Sequence, residues 1–274
     1  MMNNFLADIA STAMKMEKGD YIQGGLLICG KCHTPREHII FTAGEEIKVP
    51  CLCRCRTEAR DAEQAERALE ARQRYIDKLR EIGFPDAEMS EWTFEHDDWS
   101  NEKISTVARR YVDNWSEMLK RGKGLLLYGS VGSGKTFISA CIANALMDQT
   151  IPCLVTNFAR LTNQIMNAKD KQNYIDDLAK FKLVVIDDLA SERDTEYMGE
   201  IIQSVIDARY RSKLPLIVTT NLTAEELKNP ADMRRQRIYS RLFEMCIPVE
   251  VKGHDRRKAK LAKDYKDLEE LLGL

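Results

Sequence analysis

The segment Gly129–Thr136, which reads G-S-V-G-S-G-K-T, constrains the fold more than any other part of the sequence. It matches the phosphate-binding pattern G-x-x-x-x-G-K-[ST] at each specified position. The apolar run Leu125–Tyr128 precedes it and apolar residues at helical spacing follow it, which predicts a strand, a loop and a helix in that order. A chance lysine in a glycine-rich turn is the alternative, and both flanks argue against it.

Each residue type in this segment has a distinct expected role. The glycines let the backbone bend so that N–H groups face an anion at a helix N-terminus. Lys135 would neutralise β/γ-phosphate charge, and Thr136 would ligate Mg²⁺. We therefore expect ATP to be bound by Gly129, Ser130, Val131, Gly132, Ser133, Gly134, Lys135, Thr136 and Phe137.

Apolar runs typical of strands recur along the second half of the chain and alternate with helical patterns. The runs are Leu125–Tyr128, Cys153–Thr156, Leu183–Ile186, Leu216–Thr219 and Ile247–Val251. Five strands that alternate with helices predict an α/β fold with a five-stranded parallel sheet.

Polar side chains follow two of these strands. Asp187 and Asp188 end one strand, in the crevice where open α/β sheets bind ligands. Asp187 is expected to hold Mg²⁺, and Asp188 to orient or deprotonate the attacking water. Asn221 ends the next strand, where its amide would contact the γ-phosphate or that water. Acid pairs also serve as helix caps and Asn as a turn former, but the position downstream of a phosphate loop favours catalysis.

Cysteines cluster near the start of the chain. Five of the eight lie between positions 29 and 55, in C-x-x-C and C-x-C spacing. Zinc takes four thiolate or imidazole ligands in a tetrahedron, and so small a module needs a metal to fold. The expected structural zinc ligands are Cys29, Cys32, Cys51 and Cys53, with Cys55, His33 or His38 as substitutes. Metal-free reduced cysteines or a redox pair are the alternatives, and no thioredoxin-like context supports the latter.

The sequence divides into three parts. Residues 57–82 are rich in Glu, Arg, Ala and Gln with apolar residues every three or four positions, which predicts a long helix. Its alternating charges favour a solvated connecting helix over a coiled-coil face. Gly83 and Pro85 end it. We expect a zinc-binding module at 1–56, a helical linker at 57–82 and a nucleotide domain at 83–274.

The aromatic residues of Met89–Trp99 are expected to be packing anchors. The alternative is that they border the adenine of a bound nucleotide.

Charged residues make up 31% of the sequence, but 41 basic residues nearly balance 43 acidic ones. No net field draws the chain to nucleic acid or membrane, so any DNA contact has to come from a local patch. No apolar run approaches the ~18 residues of a transmembrane helix, and the first residues lack a signal-peptide pattern. We expect a soluble, cytoplasmic protein with no membrane partner.

Residues 83–274 resemble the AAA+ ATPase domain of the DnaC/DnaI replicative helicase loaders and of the related IstB transposition ATPases. The resemblance rests on the Gly129–Thr136 loop, L-V-V-I-D-D at 183–188, T-T-N at 219–221, R-I-Y-S-R-L at 237–242 and G-H-D-R-R at 253–257. It implies that Arg237 is an in-trans arginine finger and that Arg257 is the sensor-2 arginine. Because D-R-R stands where the family has an S-Y-R-like motif, Arg256 is the alternative. Asp188 stands where many AAA+ proteins have glutamate, and the protein is still expected to hydrolyse ATP.

The cysteine-rich start resembles DnaI-type and phage or prophage loaders, whereas IstB-type proteins lack such a module. The resemblance implies that residues 1–82 bind a hexameric replicative helicase. It also implies that the AAA+ domain self-associates and binds ATP and single-stranded DNA. The expected function is an ATP-dependent helicase loader, with an IstB-like transposition ATPase as the alternative. A small-molecule P-loop kinase would leave Arg237 and the cysteines unexplained. A zinc adaptor without turnover is disfavoured by the intact Lys135, Thr136, Asp187 and Asp188.

Overall fold

A computed structural model describes residues 15–42, 44–189 and 196–253, together with residues 269, 271 and 272. The chain divides into two compact units, one that ends at Gln73 and one that starts at Arg74. This boundary lies inside helix α1 (Arg54–Gly83), whereas the sequence places the start of the nucleotide domain at Gly83. The assignment of separate roles to residues 1–56, 57–82 and 83–274 stays a prediction.

The first unit contains two antiparallel hairpins. Strands β1 (Tyr21–Gln23) and β2 (Leu26–Ile28) form one, and β3 (Glu37–Thr42) and β4 (Glu45–Pro50) form the other. Its buried apolar residues are few: among the described residues before α1 they are Leu27, Ile28, Cys29 and Cys53. Buried Arg36 forms an ion pair with Asp20, which also accepts a hydrogen bond from the backbone N–H of Gly30. So small a core offers little hydrophobic stabilisation, which is the situation in which small domains depend on a metal.

The second unit is built around a five-stranded sheet in which each pair of neighbours is parallel. Its strands are β5 (Gly124–Tyr128), β6 (Cys153–Asn157), β7 (Leu183–Leu189), β8 (Leu216–Thr220) and β9 (Cys246–Glu250). Their order across the sheet is β6-β7-β8-β5-β9. The expected parallel α/β sheet is confirmed. Strand β8 separates the strand of the phosphate loop from the strand of the acidic pair.

Helices cover both faces of this sheet. They are α2 (Glu102–Asp113), α3 (Trp115–Arg121), α4 (Lys135–Asp148), α5 (Phe158–Asn167), α6 (Lys171–Asp177), α7 (Glu196–Ser212), α8 (Ala224–Lys228) and α9 (Met233–Met245). Successive strand residues point to opposite faces. Leu125 and Leu127 accordingly pack with α2, α3 and α4, and Leu126 packs with α5, α7 and α9. None of the helices in the described ranges combines the length and apolar character needed to cross a bilayer.

The segment Met89–Trp99 forms short 3₁₀ turns against the first of these cores. Met89, Trp92 and Phe94 are partly buried there. The side-chain amide of Asn144 donates to the carbonyl oxygens of Met89 and Trp92, at 2.8 and 2.9 Å. Trp92 and Phe94 are packing anchors, as the sequence pattern favours, whereas Trp99 is 47% exposed.

A buried arginine joins the loops at the amino ends of β7 and β8. Arg209 of α7 is only 1% exposed. Its guanidinium donates to the carbonyl oxygens of Leu178, Phe181, Lys182 and Pro215. Burial lowers the pKa of Arg209 to about 10. Carbonyl groups replace the water that this cation loses.

Substitution of Arg209 is expected to destabilise the second unit. Arg209→Met fills similar space but leaves buried carbonyl oxygens without a donor, which costs roughly 2–3 kcal/mol. The measurement is urea unfolding followed by circular dichroism. Arg211→Met is the matched control, because Arg211 lies on the same helix and is exposed. Equal midpoints for the two variants would show that Arg209 is not a structural clamp.

Candidate functional site

The phosphate loop lies between β5 and α4, at the carboxyl ends of the parallel strands. Gly129, Gly132 and Gly134 have φ values of 142°, 75° and 93°, which side-chain-bearing residues rarely adopt. A Cβ atom on Gly129 would lie 2.4 Å from the carbonyl oxygen of Val251, just after β9. The sequence pattern predicts this strand–loop–helix unit, and the structure contains it. Close backbone approach explains why glycine is needed at its first position.

Lys135, at the start of α4, points its ammonium group into the loop. The side chain is 6% exposed. Its Nζ donates to the carbonyl oxygens of Gly129 at 2.9 Å and Ser130 at 2.8 Å. It also donates to Oδ1 of Asn221 at 2.8 Å. Lys135 therefore links the loop to the end of β8 and holds a positive charge where the loop curves.

Thr136 and Asp187 meet at the same end of the sheet. The Thr136 hydroxyl lies 3.0 Å from both carboxylate oxygens of Asp187. The Thr219 hydroxyl of β8 donates to Asp187 Oδ1 at 2.6 Å. Burial raises the pKa of Asp187, and the hydrogen bonds from Thr219 and Thr136 oppose this rise. A hydroxyl and a carboxylate in contact form an oxygen donor set that suits Mg²⁺, and its charge would favour the ionised carboxylate.

Asp188 has an unusual backbone conformation. Its φ is 63°, in the left-handed region, and the pairing of β7 with β8 is irregular between Ile186 and Leu189. The backbone N–H of Asp188 donates to the Thr219 hydroxyl at 2.9 Å. Its carboxylate accepts a hydrogen bond from the Asn221 amide at 2.9 Å. Strain of this kind concentrates at functional sites. Here the adjacent carboxylates have different hydrogen-bond partners: Asp187 accepts from Thr136 and Thr219, and Asp188 accepts from Asn221.

Ser133 offers a further sign that the loop fits a ligand. The residue is 2% exposed, and its hydroxyl oxygen has no hydrogen-bond partner within the described ranges. Buried hydroxyls are normally satisfied. A phosphate oxygen at the loop would provide an acceptor.

The structure brings most of the predicted site residues together and adds one. Lys135, Thr136, Asp187, Asp188 and Asn221 form a continuous set of hydrogen bonds. Thr219, which supplies two of these bonds, was not assigned a role from the sequence. Its sequence signals are its place at the end of a strand and its position as the first residue of the T-T-N motif at 219–221.

The roles of the remaining predicted site residues stay predictions, as do the roles of the hydrogen-bonded set. The ring of Phe137 lies 6.0 Å from that of Trp92, and Val131 is exposed. Arg237 is exposed on α9. An in-trans role for Arg237 requires a second subunit. Arg256 and Arg257 lie outside the described residues.

The first unit gathers Cys29, Cys32, Cys53 and Cys55, whose sulfur atoms all lie within 4.8 Å of one another. Cys29 and Cys55 are 3.7 Å apart, and Cys53 and Cys55 are 3.5 Å apart. In a tetrahedral site with Zn–S bonds of about 2.3 Å, sulfur atoms are about 3.8 Å apart. All eight cysteines are free thiols. The cluster therefore fits a tetrahedral metal ion better than a set of disulfides.

The expected ligand set is wrong at one position: Cys55 belongs to the cluster and Cys51 does not. The backbone N–H of Cys51 donates to the Arg36 carbonyl oxygen at 2.7 Å, so Cys51 continues the β3–β4 pairing. Its thiol points to the carbonyl oxygen of Pro35 at 3.6 Å. Burial raises the pKa of the Cys51 thiol, which favours the neutral form.

Neither histidine substitute joins the cluster. His33 Nδ1 lies 3.2 Å from the Tyr21 hydroxyl, and His38 lies on β3 opposite Val49. Within the cluster, a hydrogen bond with Thr34 is the largest reason that the pKa of Cys32 is lowered to about 5. Hydrogen bonding with Cys53 raises the pKa of Cys55 to about 12. Thiols packed this closely resist joint ionisation, and a divalent cation would remove that conflict.

Comparison with known proteins gives related sequences over part of the chain. The replicative helicase loader DnaI of Bacillus subtilis is 27% identical over 150 residues, which cover 50% of this chain and 48% of DnaI. The replicative helicase loader DnaC of Escherichia coli is 26% identical over 125 residues, covering 44% and 50% respectively. A putative insertion sequence ATP-binding protein of Sinorhizobium fredii is 29% identical over 122 residues, covering 43% and 40%. The chain thus spans about half the length of the relatives it matches.

Solved structures share the fold of the second unit. A DnaI crystal structure matches with a TM-score of 0.55 and 24% identity, covering 65% of this chain and 99% of that chain. The DnaC helicase loader structure matches with a TM-score of 0.53 and 23% identity, covering 61% and 100%. At such identities the likeness shows the fold alone. The family model described as IstB-like ATP binding protein matches residues 60–263, and the chain therefore belongs to that family.

Proposed function

We propose that this protein is an ATP-dependent loader that binds a hexameric replicative DNA helicase and delivers it onto single-stranded DNA. The observation that carries the proposal is the hydrogen-bonded set of Lys135, Thr136, Asp187, Asp188 and Asn221, which has the parts that ATP hydrolysis needs. The names of the DnaI and DnaC relatives support the loader role. The cysteine cluster in a separate unit supports a second, partner-binding part.

Each residue of the site has a role in hydrolysis on this proposal. Backbone N–H groups of the loop and Lys135 bind the β- and γ-phosphates, and Ser133 donates to a phosphate oxygen. Thr136 and Asp187 would hold Mg²⁺, which when bound neutralises phosphate charge. Asn221, which donates to Asp188, orients the Asp188 carboxylate toward a water molecule. As the water oxygen bonds to the γ-phosphorus and the bond to ADP breaks, Asp188 accepts the proton.

On this proposal two parts of the chain divide the work. Residues 1–82, with the cysteine cluster, bind the helicase, and residues 83–274 bind ATP and DNA. ATP occupancy then serves as a timing switch for release of the helicase. Subunits associate through the second unit, so that one subunit completes the site of another.

The test mixes the full-length protein with the host replicative helicase and with either single-stranded or duplex DNA. Complex formation is measured by light scattering, and ATP hydrolysis by phosphate release. We expect a stable complex with the helicase and hydrolysis that responds to single-stranded DNA. Absence of a helicase complex at micromolar concentrations would refute the loader function.

An IstB-like role in DNA transposition is the second candidate. The family model and the insertion-sequence relative from Sinorhizobium fredii favour it. Hydrolysis that responds to duplex DNA alone, with no helicase complex, would support this role instead.

Arg237 is proposed to act on the nucleotide of a neighbouring subunit. Arg237→Ala is expected to lower ATP turnover to the level of a dilute, unassembled subunit while leaving the Kd for ATP nearly unchanged, because the finger stabilises charge only in the transition state. Turnover is measured over a range of protein concentrations. Gln236→Ala, next to Arg237 and also exposed, is the control. Loss of ATP binding in Arg237→Ala would contradict the assignment.

A further inference from the structure

A pocket lined by cations and aromatic rings lies at the amino ends of the sheet strands, opposite the end that carries the phosphate loop. Its volume is about 570 Å³, within the range of ligand sites. We call it the basic-aromatic pocket and define it by Lys120, Arg121, Lys123, Tyr210, Lys213 and Phe243. These residues flank the amino ends of β5, β8 and β9. The phosphate loop and the acidic pair lie at the carboxyl ends of the same sheet.

Positive charge dominates this pocket. Lys120, Arg121, Lys123 and Lys213 supply four cations. Two carboxylates lie near them: Glu117 accepts from Arg121 Nε at 2.5 Å, and Glu244 accepts from the Tyr210 hydroxyl at 2.8 Å. The excess of cations over carboxylates suits a ligand with several phosphates.

Two aromatic rings in the pocket are open to solvent. Tyr210 is 41% exposed and Phe243 is 38% exposed. The guanidinium of Arg241, which pairs with Asp207, lies 5.5 Å from the centre of the Tyr210 ring. Exposed rings beside lysine and arginine are the combination with which proteins bind unpaired bases and their phosphates.

The backbone turns around the pocket lie in contact with one another. Gly122 and Lys213 have φ values of 62° and 51°. A Cβ atom on Gly122 would lie 2.6 Å from the Lys213 carbonyl oxygen, so the two loops are in direct contact. The Lys123 side chain donates to the Glu244 carbonyl oxygen at the end of α9. The left-handed φ of Lys213 ends α7, where the backbone N–H of Leu214 donates to the carbonyl oxygen of Arg209.

We propose that the basic-aromatic pocket binds single-stranded DNA, with its cations on the phosphates and Tyr210 and Phe243 against the bases. This inference rests on the proposed loader function and names a DNA-contacting surface for it. Lys120 and Arg121 also stabilise the C-terminal end of α3, but that effect explains neither the two exposed rings nor Lys123 and Lys213. A five-residue strand such as β5 is about 16 Å long. ATP and DNA therefore bind at opposite ends of the strands and do not compete.

The test measures binding of the full-length protein to a fluorescent oligo-dT of about 15 nucleotides by anisotropy over a salt series. Lys120→Gln/Lys213→Gln removes two exposed cations, and the slope of log K against log salt is expected to become shallower by about 1.4. Lys78→Gln/Lys103→Gln removes the same charge from exposed positions elsewhere and is expected to leave the slope unchanged. Tyr210→Ser is expected to weaken binding at least about five-fold, and Tyr210→Phe to restore it, because stacking needs the ring and not the hydroxyl.

The possible failures are distinguishable. Wild-type affinity and slope in the Lys120/Lys213 variant would overturn the pocket assignment and leave the loader function standing. If the wild-type protein binds no oligo-dT, both the pocket assignment and DNA delivery are wrong. If the variants weaken binding to duplex DNA but not to oligo-dT, the single-strand assignment is overturned.

Discussion

Replacement of Lys135 by alanine is expected to remove ATP hydrolysis, with turnover reduced at least about 100-fold. The ammonium group is buried and held in the loop by the carbonyl oxygens of Gly129 and Ser130 and by Asn221, so its charge is already in place before a phosphate oxygen replaces one of these acceptors. Preorganised charge of this kind contributes most where negative charge is transferred.

The measurement pairs phosphate release with the shift in Tm that ATP causes. A ligand at 100 times its Kd stabilises the folded state by about 2.7 kcal/mol, so the wild-type Tm rises with ATP concentration. We expect no such rise for Lys135→Ala. Lys103→Ala, at an exposed lysine of α2, is the control and should behave as wild type. A wild-type shift in Lys135→Ala would show that the nucleotide binds elsewhere.

The second large effect concerns the cysteine cluster. We expect the purified protein to carry one zinc ion per chain, and Cys55→Ser to lose it, because Cys55 lies 3.5–3.7 Å from two other thiols. Structural zinc binding is worth roughly 10–16 kcal/mol in small domains, so its loss should unfold the first unit. Metal content is measured by mass spectrometry, and folding by circular dichroism with and without a chelator.

Cys51→Ser is the matched control, since it removes a neighbouring thiol that points at the Pro35 carbonyl oxygen instead of the cluster. It is expected to keep its zinc. The four-cysteine assignment would be contradicted if Cys51→Ser lost the metal and Cys55→Ser retained it. Wild-type protein that carries no metal would contradict the presence of zinc itself.

The choice between Cys51 and Cys55 shows where sequence reasoning stops. Cysteines at 51, 53 and 55 have equal spacing, so the pattern alone cannot select a pair. The choice depends on where β4 pairing ends and α1 begins. Cys51 still pairs with Arg36, whereas the carbonyl oxygen of Cys53 already accepts from Arg56 and Thr57 in the first turn of α1. That change from strand to helix brings Cys55 to the other sulfur atoms.

The sheet was predictable to a large degree because its inner strands β5, β7 and β8 are buried on both faces and therefore read as apolar runs. The strand order was not, since chain order does not reveal that β8 lies between β5 and β7. The role of Thr219 depends on that order. Likewise, no residue type signals the left-handed backbone of Asp188, which follows from the irregular β7–β8 pairing.

Strand order also sets the dimensions of the nucleotide cleft. Strands β5 and β7 are two strand spacings apart, about 9–10 Å, and the backbone hydrogen bonds of the sheet set this distance. The floor of the gap is formed by the end of β8, where Thr219 and Asn221 are compact polar side chains. Changes in the surrounding loops therefore alter what enters the cleft but not how wide it is. A bulky residue at position 219 or 221 would fill the cleft and would also remove hydrogen bonds that position Asp187 or Asp188.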